Sequence, residues 1–277
     1  MNSVTLAAGV RANLLALQQT SSVQEVVQNR LATGKKVNSA LDNPGNFFTA
    51  AALSDRANDL TTLLDDMGQA VQTLKAADEG IKAIQKLVDS AKAKANQALA
   101  SASTTDRNTF ASEYNNLLTQ IEDIAEDSGY KGKNLLNGDE LKVIFNERTS
   151  DAQNSLTISG VSWTSVSNLS LAAVEDWSVG DDGDASINTT IDSLNTALTT
   201  LRTQASTFGT NLSSVQIRQD YTKAMVNTLQ TGSDRLTLAD QNEEGAKLLA
   251  LNTRQQLSST ALSFASQADQ NVLRLLG

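Results

Sequence analysis

The side chains that most often do chemistry are missing from this sequence: among 277 residues there is no Cys and no His. Disulfides, zinc fingers, thiolate nucleophiles and Ser-His-Asp triads are excluded together. Carboxylates, amines and hydroxyls remain, and their spacing decides what they can do. The densest acidic run, Glu175, Asp176, Asp181, Asp182 and Asp184, holds five acids and no base within ten residues. An EF-hand loop needs acids at its positions 1, 3 and 5, Gly at 6 and Glu at 12. With Gly183 as that glycine, Ser178, Gly180 and Thr189 fall on positions 1, 3 and 12. The pattern fails, and the segment reads as a solvated surface loop. Gly129-Tyr130-Lys131-Gly132-Lys133 has the glycines and lysine of a phosphate loop. It lacks the four residues between the glycines, and Asn134 stands where Ser or Thr belongs. It reads as a turn. Asp65/Asp66 and Glu243/Glu244 are adjacent in sequence, so on a helix they point apart and cannot share a site. No catalytic, metal-ligating or cofactor-binding residue is assigned; the chain reads as a non-enzyme that uses no cofactor.

Charge narrows the partners. With 22 Lys plus Arg against 31 Asp plus Glu, the net charge is −9, which disfavours nucleic acid, a ligand that needs a basic face. Residues 1–41 go the other way, with four bases against one acid, and Arg30, Lys35 and Lys36 form a weak basic cluster. It reads either as a solvated loop after the first helix or as a positive patch that meets an acidic neighbour within an assembly. No run approaches the roughly 20 apolar residues of a membrane span, so no membrane insertion is expected. The N-terminal MNSVTLAAGVRANLLALQQTSS also lacks the charged start, apolar block and cleavage site of a secretory signal.

The single Pro permits long helices nearly everywhere. Counting in sevens, Leu60, Met67, Leu74, Ile81, Val88, Ala95 and Ala102 never break, while the companion series Leu64, Val71, Asp78, Gln85, Lys92 and Leu99 turns polar in its middle. This predicts a coiled-coil helix over 60–102, about 65 Å long at 1.5 Å per residue. Gly68 and Gly80 weaken it. SASTTD at 101–106 offers caps to a second helix, about 107–127, whose stripe is Phe110, Tyr114, Leu117, Ile121 and Ile124. The short link returns it antiparallel to the first. LKVIFNER and SLTISGVSW, separated by TSDAQN, switch to period two and predict a β-hairpin over 141–163, followed by loop to 184. From 187 a longer helix runs: Ile187, Leu194, Leu201, Phe208, Val215, Thr222, Leu229 and Leu236, with Ile191, Leu198, Ala205, Leu212, Gln219, Val226 and Ser233 beside them.

The two ends are helical in a different way. Leu6, Val10, Leu14, Leu17, Val23, Val26, Val27 and Leu31 stripe the first. The last carries two stripes: Leu248, Leu251, Leu262, Ala265, Val272 and Leu276, and then Leu249, Leu257, Ala261, Phe264 and Leu275. A helix apolar on two faces needs partners on two sides. The surplus face predicts either an assembly surface or a segment that is disordered and aggregation-prone when alone.

Helical ends, a long helical middle and a hairpin between the halves resemble bacterial flagellin. LAAGVRANLLALQQTSSVQEVVQNRLATGKKVNSALDNPGNFFTAAALSDR, Leu6 to Arg56, is similar to the family's N-terminal signature, with VNSALDNPGN in place of its turn. ADEGIKAIQKL at 77–87 resembles the start of its rod helix, and TRQQLSSTALSFASQADQNVLRLLG its closing helix. The resemblance implies a mainly α fold of long antiparallel coiled-coil rods with a small β-hairpin and paired helical termini. Residues 1–44 and 237–277 would form the inner filament core, and 45–236 the rod domain. It implies subunit-interface roles for Leu6, Val10, Leu14, Leu17, Val23, Val27, Leu31, Leu251, Leu257, Leu262, Phe264, Val272, Leu275 and Leu276. The rod core would comprise Leu60, Leu64, Met67, Val71, Leu74, Ile81, Val88, Phe110, Leu117, Ile121, Ile191, Leu194, Leu198, Leu201, Phe208 and Leu212. It further implies a short, α-proteobacterial type of extracellular filament subunit, exported without a cleaved signal peptide. Its partners would be copies of itself or paralogous flagellins, the flagellar export apparatus, a flagellin chaperone, and the filament cap and hook-junction proteins. Ser90-Ala91-Lys92-Ala93-Lys94-Ala95 lacks the Arg and Leu that the family's innate-receptor patch carries, which implies weak receptor activation. A hook–filament junction protein is the nearest alternative, and a cytoplasmic coiled-coil scaffold the alternative of another class.

Overall fold

The computed structural model describes residues 8–276. In order these form α1 (Ala8–Thr33), α2 (Pro44–Ala100), α3 (Thr104–Asp127), β1 (Glu140–Ile144), β2 (Ser155–Ser159), α4 (Asp181–Thr237) and α5 (Gln241–Leu276), with short 3₁₀ turns at Ser150–Ala152 and Val166–Leu169. Their contacts divide into two compact units. Unit 1 is Met1–Asp55 with Thr228–Gly277, and unit 2 is Arg56–Asn227.

In unit 1, α1 ends at Gly34, whose φ of 69° suits a helix C-terminus that only Gly adopts without strain. The 34–37 corner then pairs with the 237–239 corner. Lys36 N–H donates to the Thr237 carbonyl at 2.7 Å, and Ala239 N–H to the Gly34 carbonyl at 2.9 Å. Asp42 closes the next turn by accepting from the Asn38 and Ser39 backbone amides at 2.9 Å each. Those amide bonds, that of Ser39 first, hold its carboxyl below the ordinary carboxylate range. Asn43 caps α2, its Oδ1 accepting from Asn46 N–H at 3.0 Å, and Pro44 takes the first helical position, where a missing N–H goes unfelt. The helix thus begins well before Leu60, at a start signal that heptad counting passes over.

Unit 2 has one core. Along α2 it takes Met67, Ala70, Leu74, Ala77, Ile81, Ile84, Val88, Ala91, Ala95 and Ala98, spaced alternately three and four apart. The companion series predicted four residues after each lead position is therefore corrected to three after. The true seam of Ala70, Ala77, Ile84, Ala91 and Ala98 never turns polar, whereas Asp78, Gln85 and Lys92 flank it half-buried. The α3 stripe shifts in the same way: Arg107, Ala111, Tyr114, Leu118, Ile121 and Ala125 are buried, and Phe110, Leu117 and Ile124 lie beside them. Along α4 the predicted series is seated, with Ile187, Leu194, Leu201, Phe208 and Val215 buried. Small residues at the seam let helix axes approach closely, so dispersion contacts replace bulk.

The hairpin pairs Glu140–Ile144 with Ser155–Ser159 antiparallel, Lys142 facing Thr157. It is shorter than the predicted 141–163 because Gly160 onward turns away: Val161 and Trp163 amides donate to the Leu135 and Leu136 carbonyls at 2.7 and 2.8 Å. The largest correction concerns residues 164–184. Residues 164–180 are loop around one 3₁₀ turn and Glu175, Asp176, Asp181 and Asp182 are exposed, as expected, but Leu169, Leu171 and Trp177 are buried and 181–184 already belong to α4. Polar groups of α3 pin the backbone of this strap. Glu122 accepts from Val166 N–H at 2.9 Å. Tyr114 donates to the Ala172 carbonyl at 3.3 Å. Asn115 both donates to the Val174 carbonyl at 2.6 Å and accepts from its N–H at 3.0 Å. Asp181, Asp182 and Asp184 form the first turn of α4, where carboxylates face the positive end of the helix dipole.

Candidate subunit interface

The terminal helices pair along a mixed seam. α1 contributes buried Val10, Thr20 and Val27, with Leu17 and Leu31 half-buried. α5 contributes half-buried Leu248, Leu251, Asn252, Gln255, Leu262 and Ala265, three to four residues apart or a turn further on, as one face of a helix requires. Polar contacts fix the register. Gln24 donates to Asn252 Oδ1 at 2.9 Å. Arg30 reaches Glu244 Oε1 at 3.3 Å, and Lys247 reaches the same oxygen at 3.3 Å. Glu244 is 6% exposed, so two cations meet at one nearly dry carboxylate, and removing either leaves buried charge poorly compensated.

The opposite faces have no partner among the described residues. Leu14, Leu15, Val23 and Val26 of α1 are exposed, and Leu249, Leu257 and Phe264 of α5 are 66–69% exposed. Of the interface residues implied by resemblance, Val10 and Val27 lie in the α1–α5 seam, and Leu17, Leu31, Leu251 and Leu262 border it. Leu14, Val23, Leu257 and Phe264 stand on the open faces. Leu6 lies outside the described residues, as do the side chains of Val272, Leu275 and Leu276. Of the rod residues, Leu60, Met67, Val71, Leu74, Ile81, Val88, Ile121, Leu194, Leu198, Leu201 and Phe208 are buried. Leu64, Phe110, Leu117, Ile191 and Leu212 are half-buried.

Several working residues carry no periodic signal. Arg107, 4% exposed, donates to the carbonyls of Ser101 at 2.8 Å, Ser178 at 2.7 Å and Leu99 at 3.4 Å, and pairs with Asp184 at 2.7 Å. Asn134, which ends the glycine-lysine turn, donates to the Ala125 and Glu126 carbonyls at 2.8 Å each and so closes the C-terminus of α3. Tyr130 and Lys133 bond to each other across Lys131 and Gly132, both with positive φ, the geometry of a tight type I′ turn. Ser128 stands three residues before Lys131, a nucleophile-like spacing, but its hydroxyl donates to the Ile124 carbonyl at 2.6 Å. No cluster of three potential metal ligands occurs among the described residues, and no described helix is long and apolar enough to cross a membrane.

Residues 5–140 match the bacterial flagellin N-terminal helical region, and residues 191–276 the C-terminal helical region of the same family. Flagellin FljK of Caulobacter vibrioides is 30% identical over 99% of this chain and 98% of its own. A flagellin of Brucella melitensis is 28% identical over 95% of this chain and 94% of its own. The crystal structure of Bacillus cereus flagellin aligns with a TM-score of 0.48 at 21% identity, covering 57% of this chain and 88% of that one.

Proposed function

We propose, for a chain that belongs to the bacterial flagellin family and is a structural subunit of the extracellular flagellar filament rather than an enzyme, that assembly is driven by the open faces of α1 and α5. The subunit polymerises with itself and with paralogous flagellins. The finer reading is that each added copy folds its ends as it docks. An isolated α1–α5 pair covers one face of each helix and leaves the other wet. Neighbouring copies supply the missing cover, so folding and binding become one step. Before docking, loosely held ends suit passage through a narrow export apparatus with a chaperone, and docking then takes place beneath the filament cap, beyond the hook-junction proteins. The inner core is taken as 1–44 with 237–277 and the rod as 45–236.

One observation carries this reading: seven large apolar side chains stand exposed on two helices that are already paired. Burying a Leu or Phe contributes about 1.5–3 kcal/mol, enough in aggregate to drive association. The test is Leu257→Asp with Phe264→Asp in the full chain. Purified variant should form no filaments by electron microscopy while unit 2 melts at the wild-type temperature. Filaments of normal length from the variant overturn the reading. Short capped assemblies from the wild type would instead mark a junction protein.

A further inference from the structure

Among the described residues of unit 2, three large apolar side chains are exposed, Val179, Ile217 and Tyr221, at 46, 66 and 58%. Ile217 and Tyr221 are one turn apart on α4, on the same face. Tyr221 lines a cleft of about 180 Å3 shared with Arg56, Phe145, Arg148 and Arg218. Arg56 is held by Glu147 at 2.7 Å, and Arg218 lies over the Phe145 ring at 5.3 Å. Among the described residues neither Arg148 nor Arg218 has a carboxylate partner. Exposed Arg and Tyr around a small cleft are the residue types that dominate protein–protein interfaces.

Val179 has the opposite surroundings. Glu175, Asp176, Asp181 and Asp182 flank it and are all exposed, as is Asp106 at the start of α3. The one cation there, Arg107, is buried and engaged by Asp184 and three carbonyls. The sequence has no other Lys or Arg between Lys94 and Arg107, or between Arg148 and Arg202. The helix dipole accounts for Asp181 and Asp182 in the first turn of α4. It does not account for Glu175, Asp176 or an exposed valine among them.

These patches stand at opposite ends of unit 2. Arg56 opens its portion of α2, and Arg107 ties Ser178 and Asp184 to Leu99 and Ser101, where α2 ends. At 1.5 Å per residue the separation is about 65 Å. The two patches are complementary in charge and each carries an apolar centre, yet one molecule cannot bring them together. A second copy can. We propose that the arginine cleft of unit 2 receives the acidic 175–182 segment of a second copy of this chain, with Val179 against Ile217 and Tyr221. Such a contact joins unlike surfaces, head to tail. Unless its rotation closes a ring, such a contact repeats without end, as an axial contact in a fibre must. The inference rests on the reading of the chain as a polymerising subunit and adds to it which surfaces meet.

Complementation tests it, with the full chain and the critical concentration for growth on seeds as readout. Wild-type growth tests the filament reading by itself. Arg148→Glu with Arg218→Glu should raise the critical concentration about tenfold or more, because like charges face each other at the contact. Asp176→Arg with Asp182→Arg should do the same. An equimolar mixture of the two variants should grow near the wild-type concentration, since each variant's altered end matches the other's. Wild-type behaviour of either variant alone overturns the proposal. So does a mixture that stays as impaired as its components while both melt normally. If a reversal lowers the melting temperature, Arg148→Gln with Arg218→Gln replaces it. That neutral pair should flatten the salt dependence of the critical concentration, and a wild-type salt dependence overturns the proposal.

Discussion

Tyr114 illustrates what single residues contribute. Its ring is fully buried beside Trp177, centroids 5.4 Å apart, and its hydroxyl donates to the Ala172 carbonyl in the strap. Burial pushes the phenol up to about 12 from the ordinary 10. The protonated form is the one the fold holds, so its contribution is complete below pH 10 and is lost as pH rises from 10 through about 12. Unit 2 should therefore lose thermal stability across that alkaline window. Tyr114→Phe should remove most of the pH dependence while lowering neutral stability by about 1 kcal/mol, the order of one hydrogen bond. Calorimetry against pH checks it, and an unchanged alkaline slope in the variant disproves the assignment. Residues of this type were hard to read from sequence. Arg107, Asn115 and Asn134 look like the solvated face of a helix or a loop. Their partners are carbonyls and amides, up to 71 residues away in the case of Arg107 and Ser178, and backbone groups carry no sequence signal.

Helices and turns were more legible than the seams between them. The lead heptads of α2 and α4 are fixed by large apolar residues, and these are buried apart from half-buried Leu236. The companion series of α2 was misplaced because its members are mostly Ala, which a hydrophobic count overlooks and close helix packing selects. The glycines of α2 divide on the same physics. A Cβ on Gly68 would meet only Gln219 Nε2 at 3.8 Å, in ordinary contact. One on Gly80 would strike the Ser128 side chain and stand 2.8 Å from Leu136 Cδ1, and Ser128 is anchored by its own bond to Ile124. Gly68→Ala should raise the stability of unit 2 by about 0.5–1 kcal/mol, the helix-propensity gain. Gly80→Ala should lower it by about 1–3 kcal/mol, because overpacking outweighs that gain. Thermal melts of the two variants check both signs, and equal stabilisation would show that the 128–136 segment does not press on α2. By helix propensity alone both glycines are weaknesses; one is a packing requirement.

At the scale of the whole molecule, the absent chemistries and the surplus apolar faces have one explanation. A subunit whose work is contact needs no nucleophile and no metal, and it needs faces that stay unsatisfied until a neighbour arrives. Both properties were legible, because they depend on composition and periodicity. Which faces meet was not, because charge at one end of unit 2 has no sequence relation to charge at the other. The division of labour gives a last prediction. The buried core of unit 2 contains no residue of α5, whereas Leu257, Phe264 and half-buried Leu262 lie on α5 from about its midpoint onward. Deleting 257–277 should abolish filaments and leave a cooperative transition of unit 2 at its wild-type temperature, since no atom of that core is removed. Calorimetry and electron microscopy on one preparation read the two outcomes separately. Filaments from the truncated chain would move the assembly contacts out of α5. A lost transition would instead mean that the fold of unit 2 depends on the end of α5.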